Sequence, residues 1–157
     1  QTFFMYYLVD TTLENGCLKV IPRSHLEEHP LHQIMEEAHS PELREARDLN
    51  APEFAHYPDQ VDVCVKAGDL VIGDSRLIHG SHANDSDQER PVLTLWMHPE
   101  FNALPESLQA FCTSPDMYGN WPDEAKTILE PMRPNYEGDA KGVRSRTRYK
   151  KGEIPTE

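Results

Sequence analysis

Residues 68–97 read GDLVIGDSRLIHGSHANDSDQERPVLTLWM, and the rest of the chain is understood from them. Val71, Ile72, Leu77 and Ile78 lead into His79, while residues 91–97 are β-branched and aromatic enough to form a strand. Two strands therefore flank a polar loop. His79 ends the first, and Arg90, eleven residues on, heads the second. Neutral imidazole is the commonest transition-metal ligand, and a guanidinium is the side chain best shaped to hold a carboxylate by two parallel hydrogen bonds. This stretch is thus equipped to bring a metal ion and an organic acid together.

Working outward, residues 3–9 form a strong strand signal, followed by a polar turn that ends in Asn15-Gly16. Residues 17–21 form a second strand, stopped by Pro22, which cannot donate to a ladder. Residues 24–50 read as an excursion from the sheet. Leu31, Ile34, Met35 and Ala38 recur at helical spacing, and Ser40-Pro41-Glu42 predicts the start of a second short helix running to about Asp48. After a loop over 51–60, Val61, Val63 and Val65 alternate with polar residues as in a half-buried strand, and 70–73 form the next one. Residues 107–111 and 123–129 are predicted helices. Residues 133–157 are Gly/Pro-rich, basic and short of apolar side chains, and are expected to be a disordered tail.

A chain of 157 residues is one domain's worth, though 38% apolar residues and 13 prolines make it lean. The net charge of −12 is uneven: from Arg133 onward seven Lys/Arg face four Asp/Glu, leaving −15 on the preceding 132 residues. Nucleic acid and anionic membrane surfaces repel such a body and are not expected partners. No apolar run approaches the roughly 18 residues of a transmembrane helix. Cys17, Cys64 and Cys112 have no paired spacing and read as reduced thiols, which suggests a cytoplasmic setting.

The His79-x-Ser81 pair followed by Arg90 resembles the distal half of the site in the phytanoyl-CoA dioxygenase family of iron(II)/2-oxoglutarate enzymes. Upstream, residues 14–25, ENGCLKVIPRSH, resemble that family's ENGCLxVIPGSH signature, with Arg23 in the place of glycine. The turn at Arg23 must therefore avoid positive φ or accept strain. The resemblance covers roughly residues 1–101. It implies a mainly β double-stranded β-helix of the jelly-roll or cupin-like kind, with short helices. Eight core strands are expected of that fold and about six candidates are present, so residues 1–132 are expected to be its C-terminal part, incomplete at the N-terminus. The family's iron is held by two histidines and one carboxylate. The first histidine and the carboxylate come as a His-x-Asp pair some tens of residues before the ENGC signature, and no such pair occurs in this chain. His56-Tyr57-Pro58-Asp59 is one residue too long, and is read as coincidence.

What the resemblance implies about function is oxidative. His79 is the expected metal ligand for Fe(II) and so a catalytic residue. Arg90 and Ser81 are expected to hold the distal carboxylate of 2-oxoglutarate. Dioxygen and a small organic or acyl substrate complete the partners, with ascorbate as a reductant. Hydroxylation would occur in the full-length protein, and the chain alone is expected to be inactive. Two other readings stay open: a non-catalytic barrel fragment or binding module that keeps Arg90, and a cupin-like hydrolase or isomerase using another metal. For Arg90 the plainer reading is a solvated arginine paired with Glu89 or Asp87. His25, His29, His32 and His39 lie in a charged segment and are expected at the surface, while His82, three residues from His79, should point to another face. Met5 and Tyr7 share the face of the first strand that the family uses near the co-substrate; core packing explains them equally well.

Overall fold

A computed structural model describes residues 1–35, 45, 48, 50–113 and 119–142. They fall into two compact units, one holding residues 1–98 and the other residues 99–142. The first carries six strands: β1 (Thr2–Tyr7), β2 (Leu18–Val20), β3 (Val61–Val63), β4 (Leu70–Asp74), β5 (His79–Ser81) and β6 (Val92–Met97). They form two antiparallel three-stranded sheets, ordered β4-β1-β6 and β3-β2-β5. Mainly β with short helices, this is the arrangement expected of part of a double-stranded β-helix.

Register determines which side chains face the interior. Phe3 lies opposite Gly73 and Trp96, Met5 opposite Val71 and Thr94, and Tyr7 opposite Val92, so these residues share one face of the first sheet. Phe3 and Tyr7 are both fully buried. Leu18 faces Val63 and Ser81, and Val20 faces Val61 and His79, which places His79 and Ser81 on one face of the second sheet. The Phe3 ring meets the His79 ring at 5.0 Å and stands edge-on to Trp96 at 6.0 Å, so the two sheets face each other across Phe3. On the opposite face of the first sheet, Tyr6, Leu70, Ile72, Leu93, Leu95 and Met97 are all exposed.

The strands are shorter than their hydrophobic runs because turns and loops claim the ends. The first stops at Tyr7, whose N–H goes to Asp69, and Val65 leaves β3 to exchange hydrogen bonds with Thr11. The turn between β1 and β2 is built on Asn15. Its Oδ1 accepts the Thr12 N–H at 2.7 Å, its Nδ2 donates to the Asp10 carbonyl at 2.9 Å, and its own N–H goes to Thr12 Oγ1. Arg23 resolves the alternative raised by its sequence: its φ is +66°, the left-handed region, so the chain accepts the strain where glycine would relieve it. Its guanidinium is tied to Glu27.

Among the described residues the helical excursion forms α1 (Leu31–Ile34), which stops where Met35 turns extended; Ala38, His39 and the helix expected from Ser40 lie outside the described residues. The surface expectation fails for His29, which is buried. Its ring packs on Tyr57 at 5.0 Å, its Nε2 lies 3.5 Å from Asp59, and its Nδ1 accepts the Leu31 N–H. The second unit carries α2 (Glu106–Cys112) and α3 (Asp123–Leu129), the latter with Asp123 and Glu124 in its first turn where the helix dipole favours acid. Of the expected disordered tail, residues 143–157 lie outside the described residues. Among the described residues no helix is long and apolar enough to cross a membrane.

Candidate functional site

His79 begins β5 after a tightly held approach. Asp74 closes the preceding turn by accepting the Leu77 N–H through its carbonyl and pairing with Arg76 at 2.7 Å. The buried Ser24 hydroxyl accepts the Ile78 N–H at 2.8 Å, and the Ile78 carbonyl accepts from Ile21. The backbone one residue before His79 is thereby pinned to the Arg23-Ser24 turn. The imidazole is oriented as well: Nδ1 lies 2.7 Å from the Leu77 carbonyl, an acceptor, so Nδ1 carries the proton and Nε2 is the basic nitrogen. This is the tautomer and anchoring that metal-ligating histidines commonly use. Ser81, two residues on, shares the face of His79 and is exposed.

Arg90 lies just before β6, in phase with Val92, Thr94 and Trp96, which share the sheet face of Phe3 and Tyr7. Its Nε is buried and has no hydrogen-bond partner among the described residues. Neither Glu89 nor Asp87 forms an ion pair with it among those residues. A buried donor left unpaired costs about 1–3 kcal/mol, so the position is made for an acceptor. Burial pushes the Tyr7 phenol upward, and the nearby Arg90 charge partly offsets this. Strand β1 therefore lies between the two expected site residues: Phe3 is against His79, and Tyr7, four residues along the same face, is beside Arg90.

The two sequence motifs meet at Gly16. It has φ +86°, and a Cβ there would stand 2.9 Å from the His82 carbonyl, 3.3 Å from the Ala83 carbonyl and 3.4 Å from Arg90 Nε. Glycine at the end of the Asn15 turn thus lets the 82–90 loop and Arg90 approach the backbone. His82 itself hydrogen-bonds Asp62 at 2.7 Å. Among the described residues no group of three His, Cys, Asp or Glu side chains is arranged to hold a metal ion, so the described residues offer His79 alone as a ligand of the expected kind. Phe3 is a residue that the sequence did not single out. Its apolarity suits any strand, and only the ring contact between the two sheets shows that it lies against His79.

A family model described as phytanoyl-CoA dioxygenase (PhyH) matches residues 1–92. The chain belongs to the phytanoyl-CoA dioxygenase family. It is 31% identical over 114 residues to Dioxygenase FUM3 of Gibberella moniliformis, a match covering 73% of this chain and 30% of that protein. Among solved structures, the non-heme alpha ketoglutarate dependent carbocyclase SnoK from nogalamycin biosynthesis shares 32% identity at a TM-score of 0.41, covering 59% of this chain and 35% of that one. HygX from Streptomyces hygroscopicus with nickel and 2-oxoglutarate bound shares 24% identity at a TM-score of 0.45, covering 59% and 33%. This phytanoyl-CoA dioxygenase family chain spans about a third of the length of each.

Proposed function

We propose that the protein carrying this chain is an iron(II)/2-oxoglutarate-dependent oxygenase that hydroxylates a small organic or acyl substrate. In this reading His79 supplies one metal ligand through Nε2, residues beyond those described supply the others, and Arg90 and Ser81 hold the distal carboxylate of 2-oxoglutarate. The observation that carries the reading is the buried Nε of Arg90, without a partner among the described residues, at the first sheet's face opposite the second-sheet face that bears His79. Phe3 and Tyr7 are four residues apart, about 13 Å of strand, and in this reading the co-substrate and the long Arg90 side chain together span that distance. A five-carbon diacid suits a site with a cation at one end and an oriented imidazole at the other. Family membership and the similarity to Dioxygenase FUM3 support the same chemistry.

Bound iron would supply dioxygen activation coupled to the decarboxylation of 2-oxoglutarate to succinate, with ascorbate as reductant. The chain's own part is positional. The Leu77 carbonyl holds the His79 tautomer, Phe3 sets the tilt of its ring, and Arg90 fixes the far end of the co-substrate by charge-assisted hydrogen bonds. Phe3 and Tyr7 are themselves buried, so water is kept from those two side chains.

The test is succinate formation against 2-oxoglutarate concentration in the full-length protein, with bound iron quantified. Lysine keeps the charge of Arg90 but loses its fork. Arg90→Lys should raise KM for 2-oxoglutarate roughly tenfold, about 1.4 kcal/mol, while iron still binds. His79→Ala should remove nearly all turnover at any co-substrate concentration. An unchanged KM in Arg90→Lys would refute the assignment of Arg90. Binding of 2-oxoglutarate without any succinate would identify a carboxylate-binding module instead.

A further inference from the structure

The three cysteines have no paired spacing in sequence, yet two of them meet in the fold. Leu18 faces Val63 and Val20 faces Val61 in the β2–β3 ladder; carried one residue outward, that register sets Cys17 opposite Cys64. Backbone hydrogen bonds identify the kind of pair. The Cys17 carbonyl accepts the His82 N–H at 3.0 Å, on the side of β5, and the Cys17 N–H goes to the Thr12 carbonyl at 2.8 Å. Neither group is committed to Cys64, so the two cysteines oppose each other as a non-hydrogen-bonded pair. That is the closer kind, with Cα atoms about 4.5 Å apart, inside the roughly 4.4–6.8 Å window of a disulfide. Burial first, and then the neighbouring Cys64 thiol, push the Cys17 thiol up to about 11. Cys17 is buried, whereas Cys64 is exposed and open to small oxidants.

We propose that Cys17 and Cys64 are an oxidant-sensitive dithiol that closes to a cross-strand disulfide, a modification site separate from His79, Ser81 and Arg90. The oxidant is a peroxide. The Cys64 sulfur attacks one peroxide oxygen, the O–O bond breaks, the departing hydroxide takes a proton to become water, and Cys64 becomes a sulfenic acid. The Cys17 sulfur then attacks the Cys64 sulfur and loses its proton as the sulfenic hydroxyl leaves as a second water. Two thiols are oxidised by two electrons and one peroxide is reduced to two waters. The bond would close a loop from residue 17 to residue 64 and tie the start of β2 to the end of β3, next to Gly16, on which the 82–90 loop and Arg90 rest.

The experiment exposes the 157-residue chain to stoichiometric hydrogen peroxide, blocks remaining thiols with N-ethylmaleimide and maps peptides without reduction. The expected product is a Cys17–Cys64 linked peptide with Cys112 still alkylated, reversed by dithiothreitol and lost in Cys64→Ser. Closing so long a loop should raise the thermal midpoint of the oxidised chain on the order of 10 °C over the reduced one. The Cys112→Ser variant should give the same linked peptide, which removes mixed disulfides from the assignment. His79→Ala should give it in equal yield, because closure uses no part of the proposed metal site. Alkylation of both Cys17 and Cys64 after peroxide has oxidised Cys112, accumulation of Cys64 sulfinic acid with Cys17 alkylated, or disulfides only between chains would each overturn the proposal.

Discussion

Gly73→Ala is a single-methyl test of whether Phe3 is the pivot between the two sheets. A Cβ at residue 73 would come within 2.8 and 2.9 Å of Phe3 Cε1 and Cε2, and closer still to Cζ. Carbon contacts settle at about 3.5–4.0 Å, so the ring must retreat by roughly 1 Å. It has little room to do so. Phe3 is 1% exposed, with the His79 ring at 5.0 Å and Trp96 at 6.0 Å. Overpacking of this kind costs about 1–3 kcal/mol, and the confinement argues for about 2. With a urea slope of about 2 kcal/mol/M, the midpoint should fall by about 1 M, followed by Trp96 fluorescence. Phe3→Leu, which removes the ring edge that the new methyl strikes, should leave a cavity on its own yet rescue Gly73→Ala. The double-mutant cycle should show a favourable coupling of at least about 1 kcal/mol. A midpoint unmoved by Gly73→Ala, or strictly additive substitutions, would refute this account of the interior. In the full-length protein, Gly73→Ala should also weaken metal binding, since the displaced ring bears on His79.

Asn15→Ala should cost about 2 kcal/mol, because it strands the Thr12 N–H and the Asp10 carbonyl in a buried turn; thermal or urea unfolding measures it, and a loss under about 0.5 kcal/mol would contradict the hydrogen bonds assigned to Asn15. The Arg76 guanidinium beside Asp74 holds that carboxyl below its usual range, so its contribution to stability is present above the unfolded value, about 3.9, and is lost as pH falls through the folded one. Acid titration of Asp74→Asn should therefore show a shallower loss below about pH 4, and an unchanged acid limb would exclude this ion pair as a cause. Because the described residues hold no three-ligand group, the 157-residue chain should bind iron(II) only weakly; stoichiometric low-micromolar binding abolished by His79→Ala would reveal further ligands within it. The exposed face of Tyr6, Leu70, Ile72, Leu93, Leu95 and Met97 should make the isolated chain associate, which light scattering would show and a monodisperse monomer would contradict.

Local chemistry was legible along much of the chain. Alternating and β-branched runs placed β1, β2, β3, β4 and β6 to within two or three residues, and Asn15-Gly16 placed the turn between β1 and β2, whereas His79, read as the end of a strand, instead begins β5 because residues 79–81 pair with β2. The motif residues around His79 and Arg90 point to the family from the sequence alone, because particular side chains at fixed spacings are written directly in it.

Pairing belonged to the tertiary structure alone. Alternation says that Phe3, Met5 and Tyr7 share a face, but not that Gly73 must be small beneath one of them or that Arg90 lies beside another. The reason is that register between strands is set by contacts across tens of residues, while a sequence window reports only its own period. Cys17 and Cys64 show this most plainly: they are unremarkable by spacing and become opposite partners once β2 and β3 align. His29 lies in a charged segment, yet Tyr57 and Asp59 draw it inside from a distant loop. At Arg23 the sequence stated the choice between an altered turn and strain; the strained option is held in place by several hydrogen bonds together, from Ile78 N–H to the Ser24 hydroxyl, from Ile21 N–H to the Ile78 carbonyl and from the Leu26 and Glu27 N–H groups to the Arg23 carbonyl, which jointly offset a local preference of about 1–2 kcal/mol.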